Sequence, residues 1–421
     1  MRNQFSSPLL VNQLLSHSLF SNLKLMMVVA LIVMGSVSSA VSVDEYGAEV
    51  YVLPSILVIV TKLALYALLT ITSLWAAIGV KRHYRYFLRN HKWVALAYFI
   101  MFLWSIPTEG QLKYILFFIS VTFIPLFVAD TIESVHFDVF LKVLLCTFFF
   151  LEILTILNAL RAPDLAFIFG RLRGITGNAN QQSIMSIYWI AMGILGTLYY
   201  RKSYFSLIIM ILGIIFVIMT GSRNGLAMIF MLMFSLLIVL PTLRQKILLF
   251  TIGCVALIAA SIYLSQQEIG LIERIMNLGD AVEDSGRGTF WETAWSMLVF
   301  HSPYLGFGME SLELLGLPKN VSLHNSYLTI LFYTGFIVGS FLIFLIVAGM
   351  LKYLFFSISK EYKNVGLFLA LYLMIYLISS FGENFLMFIG GIYAVHMFIT
   401  MGILAWLKVH HSQQPHTIFD D

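Results

Sequence analysis

Of the 421 residues, 60% are hydrophobic, 15% aromatic and only 11% charged, against about 45–50% apolar and about 25% charged in soluble domains. This balance excludes a water-soluble enzyme and a secreted disulfide scaffold, because several uninterrupted apolar runs exceed the roughly 18–20 residues that a helix needs to cross a bilayer. The formal charge of +4, from 25 Lys and Arg against 21 Asp and Glu, leaves no basic tract with interleaved aromatics that would follow a nucleic-acid backbone.

In chain order, apolar runs between polar breaks predict an all-α polytopic membrane protein, one domain over 1–421, with about twelve spans. They fall near 24–43, 52–80, 93–106, 114–130, 138–161, 183–200, 204–220, 224–242, 247–265, 324–350, 364–381 and 385–408. The first run ends in GSVSSAV, whose small residues also read as a signal-peptidase site before Val41. An uncleaved anchor is the preferred reading, because the preceding region is long and barely basic. With the N-terminus in the cytoplasm, about fifteen cations lie inside and about eight outside, as the positive-inside rule asks. The segment KRHYRYFLRNHK is then cytoplasmic, and so are both termini.

Few charges lie deep in the spans. Lys62 and Glu152 both reach about 13–15 Å from the outer ends at 1.5 Å per residue, so a buried pair between spans two and five is one reading of them. Lys142 is close enough to an end to snorkel. Cys146 and Cys254 have no nearby His or Asp at ligand spacing and read as small buried core residues.

The cations that break the positive-inside pattern carry the chemistry. Five are arginines in Gly-, Ser- or Asn-containing sequence: Arg171 and Arg173 in GRLRGITGNAN, Arg223 in TGSRNG, Arg274 in LIERIMNLGD and Arg287 in EDSGRGTFWETAW. The guanidinium fork matches phosphate oxygens, so arginines on the disfavoured side point to an anionic ligand; headgroup snorkelling or pairing with Asp280, Glu283 or Asp284 is the plainer reading of any one alone. TGSRNG is a tight turn at a helix start, where free N–H groups, Ser222 and Arg223 together form an anion site, with Gly221 and Gly225 allowing close approach.

Within the large loop 266–323, Thr289 and Glu292 fit a capping box that opens a helix stopped by Ser302-Pro303. Trp291 and Trp295, four apart, share one face of it, as an element lying on the membrane surface requires. The run Asp280, Glu283 and Asp284 lacks a DxD spacing and a partner His, so it reads as a solvated acidic face and no metal site is expected. His324 stands at the mouth of the tenth span. Gly335, 11 residues on, returns to within about 20° of its face on a helix, and Gly339 continues a small-residue packing surface. A histidine there can accept a proton from a hydroxyl.

These residues resemble a known family. His324-Asn325, then Gly335 and Gly339, look like the signature of bacterial O-antigen ligases, and SGR, WETAW, SPYLGFG and the His-Asn pair are similar to the domain shared by O-antigen ligases and polymerases. The resemblance covers roughly 165–345. It implies a GT-C-like fold and a metal-independent, cofactor-free, inverting glycosyl transfer on the periplasmic face of the bacterial inner membrane. The donor would be a glycan on undecaprenyl pyrophosphate. The acceptor would be lipid A-core for a ligase or a growing glycan for a polymerase, and ligation is preferred. By motif position, His324 matches the base, and Arg223 and Arg287 match arginines that hold the pyrophosphate. Arg171, Arg173, Asn178, Asn180, Ser222 and Asn325 are further substrate-binding candidates. A polysaccharide or lipid exporter is the rival of a different class, and it needs no base.

Overall fold

The computed structural model describes residues 8–43, 49–79, 84–107, 111–168, 170–200, 203–240, 242, 246, 287–309, 311–316, 323–354, 362–387 and 392–413. Helix α1 (Pro8–Ser38) leads into a small antiparallel hairpin, β1 (Val41–Val43) and β2 (Glu49–Tyr51). Helices α2 (Ser55–Gly79), α3 (Tyr84–Ser105), α4 (Gln111–Val135) and α5 (Phe137–Arg161) follow. A single turn, α6 (Pro163–Ala166), precedes a second hairpin, β3 (Phe167–Ile168) and β4 (Arg171–Leu172). Next come α7 (Ala179–Tyr200), α8 (Tyr204–Thr220) and α9 (Arg223–Val239). The described chain continues with α10 (Arg287–His301), a 3-10 turn at Ser311–Leu315, α11 (Ser326–Leu351), α12 (Lys363–Ser379) and α13 (Ile392–Gln413).

Eleven of the expected spans thus fall on helices, and the run at 247–265 lies outside the described residues. Among the described residues, six helices are long and apolar enough to cross a membrane, within α1, α2, α4, α5, α7 and α11. Four others, α8, α9, α12 and the Ile392–Lys408 part of α13, are apolar but shorter. Helix α4 is the hub, packing on α13, α2 and α3. Helix α7 is buried along most of its length and lies close against α8. That approach is set by glycines: a Cβ on Gly193 would stand 2.8 Å from the Ser206 carbonyl, and one on Gly213 2.7 Å from Ile190. Small residues at such crossings let helix backbones meet where lipid offers no hydrophobic drive.

The structure corrects several expectations. Glu152 is fully buried with neither carboxylate oxygen partnered, whereas Lys62 is exposed. Helix α2 packs chiefly on α1 and α4, which turns Lys62 away from α5, so the expected pair does not form. Cys146 is exposed on the outer face of α5, not buried, and Cys254 lies outside the described residues. Thr289 does not open its helix: α10 begins at Arg287, and the Thr289 carbonyl accepts the Thr293 hydroxyl at 2.7 Å. The helix end at His301 agrees with the stop expected from Ser302-Pro303.

Helix α11 is broken. Gly335 has φ 74° and ψ 176°, so the constant 100° per residue that would place it on the face of His324 does not run through it. The segment Pro303–Gly308 inserts at the break. Phe336 N–H donates to the Pro303 carbonyl at 2.7 Å, and Phe307 and Gly308 N–H groups donate to the carbonyls of Phe332 and Tyr333 at 2.9 Å each. Groups that a kink frees in an apolar medium must find partners nearby, and the SPYLGFG loop supplies them. A Cβ on Gly335 would strike the Tyr304 carbonyl and approach Leu305 N to 2.5 Å, while Gly339 faces Leu331 and Thr334 of its own helix. Gly335 therefore admits a loop, and the nearest neighbours of neither glycine belong to another helix.

Gly335→Leu adds both a forbidden φ, which costs about 1–3 kcal/mol, and a clash with the inserted loop. The expected outcome is a large loss of folded protein, read as the monodisperse fraction in detergent gel filtration, whereas Gly79→Ala, whose Cβ would meet nothing nearer than Trp75 at 3.6 Å, keeps most of its yield.

Candidate active site

The ends of five helices meet at one end of the bundle: the start of α7, the α8–α9 turn, the start of α11 and the segment after α12. His324 is not part of α11. It has φ 50°, one of two positive values among the described non-glycine residues, and it immediately precedes the N-cap. Asn325 is that cap: its Oδ1 accepts from Leu328 N–H at 2.9 Å, the standard use of Asn at a helix start. The direction of the imidazole therefore follows from a left-handed residue before a cap, not from helix phase.

The partner of His324 is a residue that the sequence reading passed over. Nδ1 of His324 lies 2.9 Å from Oε2 of Glu383, whose side chain is 9% exposed against 33% for the histidine. The segment bearing Glu383 is stapled to α11. Ser326 Oγ donates to the Glu383 carbonyl at 3.0 Å and accepts from Leu386 N–H at 3.1 Å, and Ser326 N–H donates to the Ser380 carbonyl at 2.9 Å. Two more hydroxyls, of Tyr98 and Tyr376, hold the Leu386 and Phe385 carbonyls. The only signal in the sequence was the acidic residue of FGENF in a turn between apolar runs.

The second carboxylate oxygen is also used. Oε1 of Glu383 accepts from Nδ2 of Asn180 at 3.0 Å, and Oδ1 of Asn180 accepts from Nη2 of Arg171 at 3.0 Å. Arg171 Nε donates to the Thr220 carbonyl at 2.7 Å, at the end of α8. The next residues are Gly221, in left-handed conformation at φ 57°, Ser222 and Arg223. A continuous series of contacts thus joins His324 to the turn that carries Arg223.

The other candidates divide. Arg173 is 4% exposed and its Nε donates to the Leu165 carbonyl. Burial lowers the pKa of its guanidinium from the ordinary value. Asn178 is exposed and its Oδ1 accepts from Gln181 N–H at 2.8 Å, a cap on α7. Ser222 is 2% exposed and its hydroxyl takes the N–H of Gly225 at 3.2 Å, so it caps α9 with the group expected to serve a ligand. Gly225 does permit close approach, but the neighbour is Ser183 of α7. Arg223 is half-buried at the first position of α9. Arg287 is the first residue of α10, whereas a cap at Thr289 would have left it outside the helix, and Arg274, Asp280, Glu283 and Asp284 lie outside the described residues.

Beside His324, an open cavity of about 420 Å³ is lined by Trp291, Trp295, Asn325, Tyr327, Leu331 and Phe381, among others. Trp291 does more than anchor, since its Nε1–H donates to the carbonyl of Leu323, the peptide before His324. Trp295 meets Phe336 edge-on at 5.3 Å between ring centroids. Two buried polar atoms of the site, Asn224 Nδ2 and Asn384 Oδ1, have no protein partner.

The apolar helices and this polar cluster at one end of them define a multi-pass membrane protein with a histidine–carboxylate pair close to an arginine-bearing turn. The family model described as O-antigen ligase matches residues 208–344, a segment that contains Arg223, Arg287 and His324. Over that segment, about a third of the chain, the protein is similar to the O-antigen ligase family. Neither a curated protein nor a solved structure matches. Arg171, Asn180 and Glu383 lie outside the matched segment.

Ser326→Ala removes the hydroxyl that bonds both Glu383 and Leu386 backbones and leaves a buried N–H without its acceptor, at about 1–3 kcal/mol. A lowered melting temperature of the purified protein is expected, and an unchanged one contradicts the staple.

Proposed function

We propose that this protein transfers a polysaccharide from undecaprenyl pyrophosphate to a sugar hydroxyl at the periplasmic face of the bacterial inner membrane, with inversion and without a metal, and that the acceptor is lipid A-core. The observation that carries the reading is the 2.9 Å contact between His324 Nδ1 and Glu383 Oε2. A carboxylate can only accept, so Nδ1 holds the proton and Nε2 of the neutral ring presents a lone pair. His324 takes the acceptor hydroxyl proton on Nε2 as that oxygen bonds to the anomeric carbon. Glu383 then faces the imidazolium that results, as a buried carboxylate does beside other histidine bases.

On the opposite side of the anomeric carbon the bond to the pyrophosphate oxygen breaks, and the leaving group gathers negative charge. Arg223 and Arg287 are assigned to it, because a guanidinium stays charged and its fork fits phosphate oxygens. Positive charge aimed at the leaving oxygens acts where charge develops in the transition state. Attack and departure on opposite faces give inversion. Asn325, Ser222 and Asn178, used as caps, shape the site, and Arg173 does so through its bond to the Leu165 carbonyl.

The proposed sidedness is supported by cation asymmetry, and the α8–α9 turn, His324 and Glu383 meet at one end of the bundle. In a background without Cys146 and Cys254, Glu313→Cys is expected to react with an impermeant thiol reagent in cells with a permeabilised outer membrane, and Lys142→Cys only after lysis. The reverse pattern refutes a periplasmic site.

The chemical test separates binding from transfer. His324→Gln cannot take up a proton at neutral pH, and loss of a general base costs about 10²–10⁴-fold in rate. It is expected to bind undecaprenyl pyrophosphate normally and fail to transfer glycan, whereas Arg223→Ala loses a charged hydrogen-bond partner and binds the same probe about ten-fold or more weakly. Near-normal transfer by purified His324→Gln would refute His324 as the base, and absence of transfer by the parental protein would return it to the exporter reading. In a deletion strain, lipid A-core without any long chain marks a ligase, and a single repeat left on the core marks a polymerase.

A further inference from the structure

Glu383 is a buried carboxylate whose oxygens face His324 on one side and the amide of Asn180 on the other. The orientation of that amide is fixed by its neighbours. Arg171 can only donate and Glu383 can only accept, so Asn180 turns its Oδ1 to Arg171 and its Nδ2 to Glu383. Asp in its place would set a second carboxylate against the first, and an apolar side chain would leave both partners short of a bond in a buried place.

Through Asn180, Arg171 orients the group that orients Glu383. Arg171 also donates through Nε to the Thr220 carbonyl at 2.7 Å, three residues before Arg223. One side chain thus holds both the turn proposed for the pyrophosphate and the series of bonds that ends on His324.

We infer that Asn180 is a positioning residue for the base, holding Glu383 so that it receives the Nδ1 proton of His324, and that Arg171 ties this arrangement to the donor-binding turn. The inference rests on the reading of His324 as the base. Donor occupancy and base orientation are then linked through Arg171: a change at the Thr220–Arg223 turn reaches His324 through four side-chain contacts, and base orientation is communicated back.

The test uses the full-length protein in lipid nanodiscs, with lipid-linked glycan and lipid A-core extracted from host cells that lack this protein. Asn180→Ala is expected to lower kcat about 10–100-fold, the range for loss of a group that orients a functional side chain, with the KM for lipid-linked glycan unchanged. Asn180→Asp, equal in shape but unable to donate, falls at least as far, and it carries the comparison if the alanine variant does not accumulate. In a Glu383→Ala background Asn180→Ala costs nothing more, because residues acting through one another are not additive; a merely structural defect would add its own loss. Binding of undecaprenyl pyrophosphate is kept in Asn180→Ala and weakened in Arg171→Ala, which also loses turnover. Parental kcat in Asn180→Ala and Asn180→Asp, or losses that multiply with Glu383→Ala, overturn the positioning role. Unchanged undecaprenyl pyrophosphate binding in Arg171→Ala overturns the link to the turn. If His324→Gln and Glu383→Ala themselves transfer normally, the base reading fails first, an outcome distinct from failure at Asn180 alone.

Discussion

A carboxylate withdrawn from water must be given partners or it will not remain ionised where it is. The arrangement at one end of this bundle answers that demand for Glu383. Four helices and two connecting segments each contribute one group: His324 and Asn180 to the carboxylate, Ser326, Tyr98 and Tyr376 to the backbone around it, and Arg171 one bond further out. Because these groups come from positions as far apart as residues 98 and 386, the helices must pack in one register for all the bonds to form. The site thus reports on the fold, and the close α7–α8 contact has a purpose beyond stability, since it sets where Asn180 stands relative to Thr220.

The same accounting governs the broken helix. In a bilayer core, irregular backbone is tolerated only where protein satisfies it, and the Pro303–Gly308 segment does this at Gly335 by main-chain bonds alone. The cost of interrupting α11 is met by a loop whose own sequence, two glycines around a phenylalanine, is shaped to fit. The loop belongs to the same stretch as α10, so the helix bearing Trp291 is fixed at both ends: through the plug at Gly335 and through the Trp291 bond to the Leu323 carbonyl. His324 sits between those two fastenings.

Much of this was legible in the sequence. Apolar runs located eleven helices because length and composition alone decide what lipid accepts, and the glycine- and serine-bounded arginines and the His-Asn pair marked the end of the bundle that carries the cluster. What stayed hidden depends on long-range geometry. Nothing local links Glu383 to a histidine 59 positions away, and a lone acid in a turn looks like any solvated residue. The facing argument for Gly335 failed because a helical period presumes an unbroken helix, and the Lys62–Glu152 pair failed because equal depth says nothing about which helices are neighbours. Thr289 and Glu292 matched a capping box in spacing, but the helix had already begun at Arg287. Ser222, Asn178 and Asn325 were read by their polarity, and each proved to spend its oxygen on a helix start.

The backbone of His324 carries a further consequence for how the sequence can drift. At φ 50° the residue is held where L side chains are strained by about 1–3 kcal/mol, and where glycine and asparagine rest more easily. Substitutions that relax the chain there make the fold more stable and remove the group proposed to take the proton. Stability and turnover therefore pull against each other at a single position, a trade-off common where function needs a strained geometry. A screen for thermal robustness alone would favour the inactive variants, and a stabilised version of this protein has to be sought by changes that leave residue 324 alone.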